Sequence, residues 1–249
     1  MTFWNIATIT ILLTLSLMIF HYLAPYLRKI SWLDPSRITS FAGGVAVGYV
    51  FLHMLPEMVE SHDKIHELLS RSTVMSQFRD LLVFVVALVG FDIFYMVERF
   101  ASSVDASSEV LHKRSYNLHL VMYFIYNFLI TYTMILRVES GITYAVLFTL
   151  AMGIHFTLTD SHMKRYFPDL FNVKSHILLL IGLAFGCIVA LIEYPINVYI
   201  TAMLTAFLSG AVLYNSFSEE IPMDRKASTP FFILGSIVMG TLLAFDLIH

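Results

Sequence analysis

Several polar side chains interrupt long apolar stretches of this sequence, where lipid or protein rather than water would surround them. Asp92, Asn127 and His155 each lie near the middle of such a stretch, and Asp160 follows His155 by five residues. An ionisable group at mid-membrane is energetically expensive and marks a functional site by default. Imidazole, amide and carboxylate groups can replace the water shell of a divalent cation. The sequence therefore predicts a metal site formed by His155, Asn127 and the two acids.

The same side chains also fit structural roles. A buried His155 can hydrogen-bond to a neighbouring helix, and the Asn127 amide can join two helices in the same way. Asp92 can be a protonated, neutral acid, or it can pair with a Lys or Arg. At about 100° per residue, Asp160 points away from the face of His155 and lies nearer the inner mouth.

The composition decides the class of protein. Of 249 residues, 58% are hydrophobic and 13% are charged, and the mean hydropathy is +0.76. A soluble domain carries about 25% charged residues, and one core could not bury so much apolar surface. These values exclude a soluble enzyme, a disordered chain and a disulfide scaffold. The net charge of −3 argues against a nucleic-acid partner.

Eight apolar runs are long enough to cross the membrane as helices, since a span needs about 20 residues. They use up nearly the whole chain, so we predict one all-α transmembrane domain in a lipid bilayer. The runs cover about 3–23, 38–57, 80–98, 116–136, 142–160, 175–192, 196–218 and 230–247.

The basic residues predict the orientation. Eleven of the 15 Lys and Arg residues fall in the connections after the first, third, fifth and seventh runs. Cytoplasmic loops carry an excess of Lys and Arg, so these connections should be cytoplasmic. Both termini then face the outer side, and we expect the protein in the plasma (inner) membrane.

The second and seventh runs share a pattern that the predicted orientation makes antiparallel. An inverted repeat of this kind is a common plan among transporters, with the substrate site between the halves. We predict a 3+2+3 arrangement, in which 1–99 and 175–249 are three-helix repeats and 115–160 is a central helix pair. The matching residues are Phe41, Gly44, Phe51 and Pro56 in one copy and Phe207, Gly210, Phe217 and Pro222 in the other.

These segments resemble the ZIP (Zrt/Irt-like) metal transporters. The resemblance rests on the second span at 41–57, the third at 90–99 and the seventh at 210–222. It implies an eight-helix permease for a divalent metal ion, with zinc the first candidate as the transported substrate and no organic cofactor.

The resemblance also implies that the fourth and fifth spans hold the metal. Their family motifs read His-Asn-x-x-Asp/Glu and His-Glu-x-Pro-His-Glu. This chain keeps Asn127, His155 and Asp160 at the matching positions, but has Tyr126 for the first His and Ile130 for the first acid.

Other polar residues lie at positions suited to a pathway. We predict that His53, Glu57, Tyr126, Glu219 and Glu220 line or gate the route. Polarity at helix ends beside a proline is the alternative for those near the mouths.

A pair of histidines in the connection after the second span could capture a metal ion on the outer side. His62 and His66 are four residues apart, so on a helix they share a face. The alternative is a solvated surface turn.

Three functions remain open. The first is a ZIP-like zinc, iron or manganese permease that works by alternating access. The second is a non-transporting relative that acts as a sensor, a scaffold or a subunit of a membrane complex. The third is an intramembrane zinc hydrolase built on Asp160, Ser161 and His162 together with His155 and His53. We expect no enzymatic activity, and a homodimer or larger complex is a possible assembly.

Overall fold

The apolar runs fold into helices because a chain in lipid must satisfy its backbone hydrogen bonds internally. The computed structural model describes residues 1–27, 35–60, 76–103, 109–220 and 227–246, and over these ranges it contains helices and no strand. The helices are α1 (Phe3–Leu27), α2 (Pro35–Tyr49), α3 (Ser76–Ser103), α4 (Glu109–Ser140), α5 (Ile142–Tyr166), α6 (Val173–Ile192), α7 (Val198–Asn215) and α8 (Thr229–Asp246).

Seven helices within the described ranges are long and apolar enough to cross a membrane. The apolar part of α8, Thr229–Ala244, is shorter. The predicted all-helical membrane class is thus confirmed, and a membrane-spanning role for α8 stays a prediction.

The two segments that matched in sequence also match in backbone geometry. A π-helical segment, Val50–Met54, follows α2, and another, Ser216–Glu220, follows α7. Each begins at the same place relative to its aligned phenylalanine, Phe51 or Phe217. Single π-helical turns inside α-helices are rare. Their presence at the same aligned position in both segments is therefore a structural similarity that shared apolar composition does not explain.

The aligned glycines Gly44 and Gly210 bring a neighbouring helix close. A Cβ added to Gly44 would lie 2.0 Å from the carbonyl oxygen of Phe232 in α8. A Cβ added to Gly210 would lie 1.8 Å from the carbonyl oxygen of Ala87 in α3. Small residues at such crossings let helix backbones approach closely, which drives helix association in lipid.

The helices form two groups, which we name by their members. Group A comprises α1, α4, α5 and α6, in which α4 packs along α6 and α1 along α5. Group B comprises α2, α3, α7 and α8, in which α2 packs along α8 and α3 along α7. The groups meet where α2 contacts α5 and where α4 contacts α3 and α7.

Replacing Gly210 by alanine should destabilise group B by about 1–3 kcal/mol, because the new methyl group forces α7 away from α3. Thermal unfolding of the purified protein in detergent measures the loss. Gly141→Ala is the control, since its Cβ would meet nothing closer than 3.8 Å. Equal melting temperatures for the two variants would contradict the close packing of α3 and α7.

Candidate functional site

A buried polar network lies inside group A. Nδ1 of His21 in α1 lies 2.9 Å from Oδ2 of Asp160 in α5. Nε2 of His21 lies 3.1 Å from the Asn127 amide of α4, and Nε2 of His176 in α6 lies 3.7 Å from Asp160 Oδ2. The network therefore draws one polar side chain from each of the four helices of the group.

The hydrogen bonds fix the protons on His21 and Asn127. The carbonyl oxygen of Leu179, 3.2 Å from Asn127, can only accept, so the amide nitrogen of Asn127 faces it. That nitrogen also donates to Nε2 of His21, which must therefore carry a lone pair. His21 is then neutral, and its Nδ1–H donates to the Asp160 carboxylate.

His176 is oriented with its Nε2 towards Asp160. Its Nδ1 lies 3.0 Å from the carbonyl oxygen of Asn172, one turn earlier, and must donate there. Nε2 of His176 therefore faces the carboxylate and is the ring nitrogen available to a ligand there. A backbone carbonyl holding the far ring nitrogen is the usual outer arrangement of a metal-binding histidine.

Asp160 carries the negative charge of this network. Its side chain is buried, and Oδ1 has no hydrogen-bond partner. A buried carboxylate is costly unless a cation or several donors compensate it. His21 donates one hydrogen bond to this carboxylate, and Oδ1 of Asp160 and Nε2 of His176 are atoms of the kind that bind a cation.

His155 is buried but stands apart from these contacts. Its Nε2 lies 3.4 Å from the hydroxyl of Thr159, and its ring centroid lies 5.3 Å from that of Tyr126. Asp92 is exposed on the surface of α3, whereas Asn127 and Asp160 are buried. The structure thus joins Asn127 to Asp160 through His21, and it places Asp92 outside this buried cluster.

Aromatic and aliphatic side chains occupy the positions where the ZIP motifs have further ligands. Tyr126 packs edge-on against Phe94 of group B, with centroids 5.7 Å apart. Phe156 stacks on His21 with centroids 4.3 Å apart. Ile130 is fully buried. Two aromatic rings and one aliphatic side chain therefore stand at these three positions.

A buried ion pair joins the two groups near the far end of α4. Nη2 of Arg137 lies 3.1 and 3.2 Å from the two carboxylate oxygens of Glu57. Nη1 donates to the Thr133 hydroxyl at 2.8 Å, and the guanidinium lies 4.0 Å from the centre of the Phe148 ring. The charge count places Arg137 among the basic residues of the connection after the fourth apolar run. That position is wrong, because Arg137 lies within α4 and is only 1% exposed.

The other predicted pathway residues lie near the Arg137–Glu57 pair or in parts of the chain that the structure does not describe. His53 is buried with its ring 4.0 Å from that of Tyr144, and its Nε2 has no hydrogen-bond partner. Glu219 and Glu220 lie in the π-helical segment after α7, and their side chains are outside the described part. His62 and His66 lie outside the described residues.

Sequence reasoning missed His21 and His176. Both lie in or beside apolar runs without a motif around them, so only their meeting at Asp160 reveals them. Arg137 carried a usable signal, because a lone arginine so close to an apolar run is a candidate for burial against an acid.

In the described ranges, no group of three His, Cys, Asp or Glu side chains is close enough together to hold a metal ion. The donors are joined by hydrogen bonds and are not arranged around a common centre. Within the described ranges, His155, Asp160 and His162 of the hydrolase hypothesis do not form such a group. A cargo site of a transporter need not be preformed.

Comparison with known proteins gives one family. The model for the ZIP zinc transporter family matches residues 1–119. The predicted resemblance is confirmed. No curated protein and no solved structure matches the chain. The ZIP match covers α1 to α3 and the start of α4, and it ends before Asn127.

The ZIP match and the apolar helices together describe an integral membrane protein of the metal-transport class. Members of the family are transporters and not enzymes, with a divalent metal as substrate.

Replacing Arg137 by methionine should destabilise the protein by about 3–5 kcal/mol, because Glu57 loses its only described cationic partner. The double variant Glu57→Gln/Arg137→Met should regain part of that loss, since no charge is then left uncompensated. Thermal unfolding of the single and double variants forms the measurement. Strictly additive effects would contradict a direct pair.

Proposed function

We propose that this protein is a divalent-metal permease, with zinc as the first candidate substrate. The observation that supports this function best is the buried Asp160 carboxylate, whose Oδ1 has no hydrogen-bond partner and whose Oδ2 lies near two histidines. A divalent cation between Asp160 Oδ2 and His176 Nε2 would meet both at ordinary ligand distances after a small adjustment of their 3.7 Å separation.

His21 and Asn127 complete the proposed donor set. His21 can turn its Nε2 to a metal if the Asn127 amide releases it, and that amide offers its own oxygen when it rotates. These are the imidazole and carboxylate or amide oxygen ligands that suit zinc, iron(II) and manganese. Asn127 and Asp160 thus keep the role predicted for them, whereas His155 supports the site through packing.

Alternating access would follow from movement of group A against group B. The likeness of α2 and α7 in glycine contacts and π-helical ends supports the 3+2+3 inverted repeat, in which the two halves exchange roles. Tyr126 and Phe94 hold the middle closed, and the Arg137–Glu57 pair closes the end predicted to face outward. Opening on that side requires this pair to separate. A homodimer in the plasma membrane, with both termini outside, completes the proposal.

The aromatic middle favours a second candidate. Tyr126, Ile130 and Phe156 stand where the family motifs have ligands, and all three are buried. A ZIP-like protein that binds a metal but never opens would act as a sensor or as a subunit of a membrane complex.

Transport is tested in liposomes that contain the purified protein and a metal-sensitive dye. Wild type should carry zinc, iron(II) or manganese inward, and Asp160→Asn and His176→Gln should each reduce the initial rate at least about tenfold, since each removes a donor. Asp169→Asn, at an exposed acid beyond α5, should leave the rate unchanged. A folded wild type that moves none of the three metals would reject the permease, and retained zinc binding would then favour the second candidate.

His155→Ala separates a ligand from a packing residue. Because His155 contacts Thr159 and Tyr126, we expect the variant to lose about 1–3 kcal/mol of unfolding free energy and to have a lower melting temperature. The extra stability that added zinc gives should remain. Loss of the zinc-dependent increase, with Asp160→Asn showing no such loss, would assign the metal to His155.

A further inference from the structure

A second cluster of possible ligands lies between groups A and B. Glu98 of α3, His119 of α4 and Asn215 of α7 line one small cavity, with a volume of about 10 Å³. A space of that size holds about one water molecule or ion. The cavity lies towards the end of α4 that the charge bias predicts to be cytoplasmic, on the side of Asn127 opposite to Arg137.

His119 faces Glu98 with the nitrogen that can bind a cation. Its Nδ1 lies 3.0 Å from the carbonyl oxygen of Ser115, which can only accept, so Nδ1 carries a proton. Nε2 lies 3.0 Å from Oε2 of Glu98. This pair is joined by a hydrogen bond or ion pair through a proton on Nε2, and a divalent cation bound here would take the place of that proton between the imidazole and the carboxylate.

Asn215 supplies a further oxygen. It is 1% exposed, lines the same cavity, and its amide nitrogen has no hydrogen-bond partner. An unpartnered buried amide costs about 1–3 kcal/mol. A half-turn of the amide would place its oxygen where the nitrogen stands, and the same side chain would then act as a ligand.

We propose that Glu98, His119 and Asn215 form a divalent transition-metal site between the two groups. The carbonyl-held ring of His119 is the arrangement that orients metal-binding histidines. One imidazole, one carboxylate and one amide oxygen leave a position for water, which suits zinc or manganese. The site shares no residue with the Asp160 network, so it stands independently of the proposed transport function.

Bound metal would couple the groups. His119 moves with group A, whereas Glu98 and Asn215 belong to group B. A cation held by all three residues binds more tightly when the two groups touch at this end than when they separate. Binding therefore favours the closed arrangement. The site therefore offers metal-dependent control of any movement between the groups.

The test is zinc binding to the purified full chain in detergent, measured by calorimetry and by bound metal per protein. The double variant Asp160→Asn/His176→Gln serves as the background, so that the network inside group A does not contribute. In that background we expect one zinc ion per chain. Added Glu98→Gln or His119→Gln should weaken its binding at least about tenfold.

Two matched controls lie on the same helix as His119. Glu109→Gln alters an exposed acid, and His112→Gln alters a histidine about two turns away. Neither should change zinc binding. Melting temperatures without metal confirm that every variant is folded, and Glu98→Gln is the milder variant because the Glu98 side chain is already 23% exposed.

The outcomes separate the possibilities. Zinc binding that is equal in Glu98→Gln, His119→Gln and the controls would overturn the site. A background that binds no zinc, where the wild type binds one, would also overturn it and would place the metal at Asp160. A wild type that transports no metal but still binds zinc through His119 would leave this site standing and reject only the permease.

Discussion

The cost of placing charge inside hydrocarbon governs this structure. A membrane core offers no water, so each ionised or polar group must find its partners within the protein. The chain meets this constraint at three depths along α4, where His119, Asn127 and Arg137 each contact a partner from another helix. Further hydroxyl groups of that helix bond to α6 and to the residue that follows it, from Tyr116, Thr131 and Tyr132.

Helix geometry explains why these three positions serve different interfaces. His119 and Arg137 are 18 residues apart, or about five turns, and so they share one face of α4. That face meets group B at Glu98 and Glu57. Asn127 is turned away from it by about 80° and points into group A, towards His21. One helix therefore supplies polar contacts both between the groups and inside one of them.

The replaced motif residues follow the same division. Tyr126 lies on the face of α4 that meets group B, where it packs against Phe94. Phe156 instead covers His21 inside group A. Tyr126 and Phe156 thus make aromatic contacts, whereas the polar contacts of Asp160 are with His21 and His176.

The sequence by itself determined the membrane class, the helix positions, the likeness of α2 and α7 and the family, because hydropathy and glycine spacing are local signals. It also selected Asn127 and Asp160 as polar residues that need a reason to be buried. Only the tertiary structure decided their partners. His21 and His176 are 155 residues apart in the chain and meet at Asp160 because α1 and α6 both pack in group A. Burial of Arg137 and exposure of Asp92 likewise depend on which face of each helix packs against a neighbour. The sequence does not reveal that face, because a membrane helix is apolar on nearly all sides.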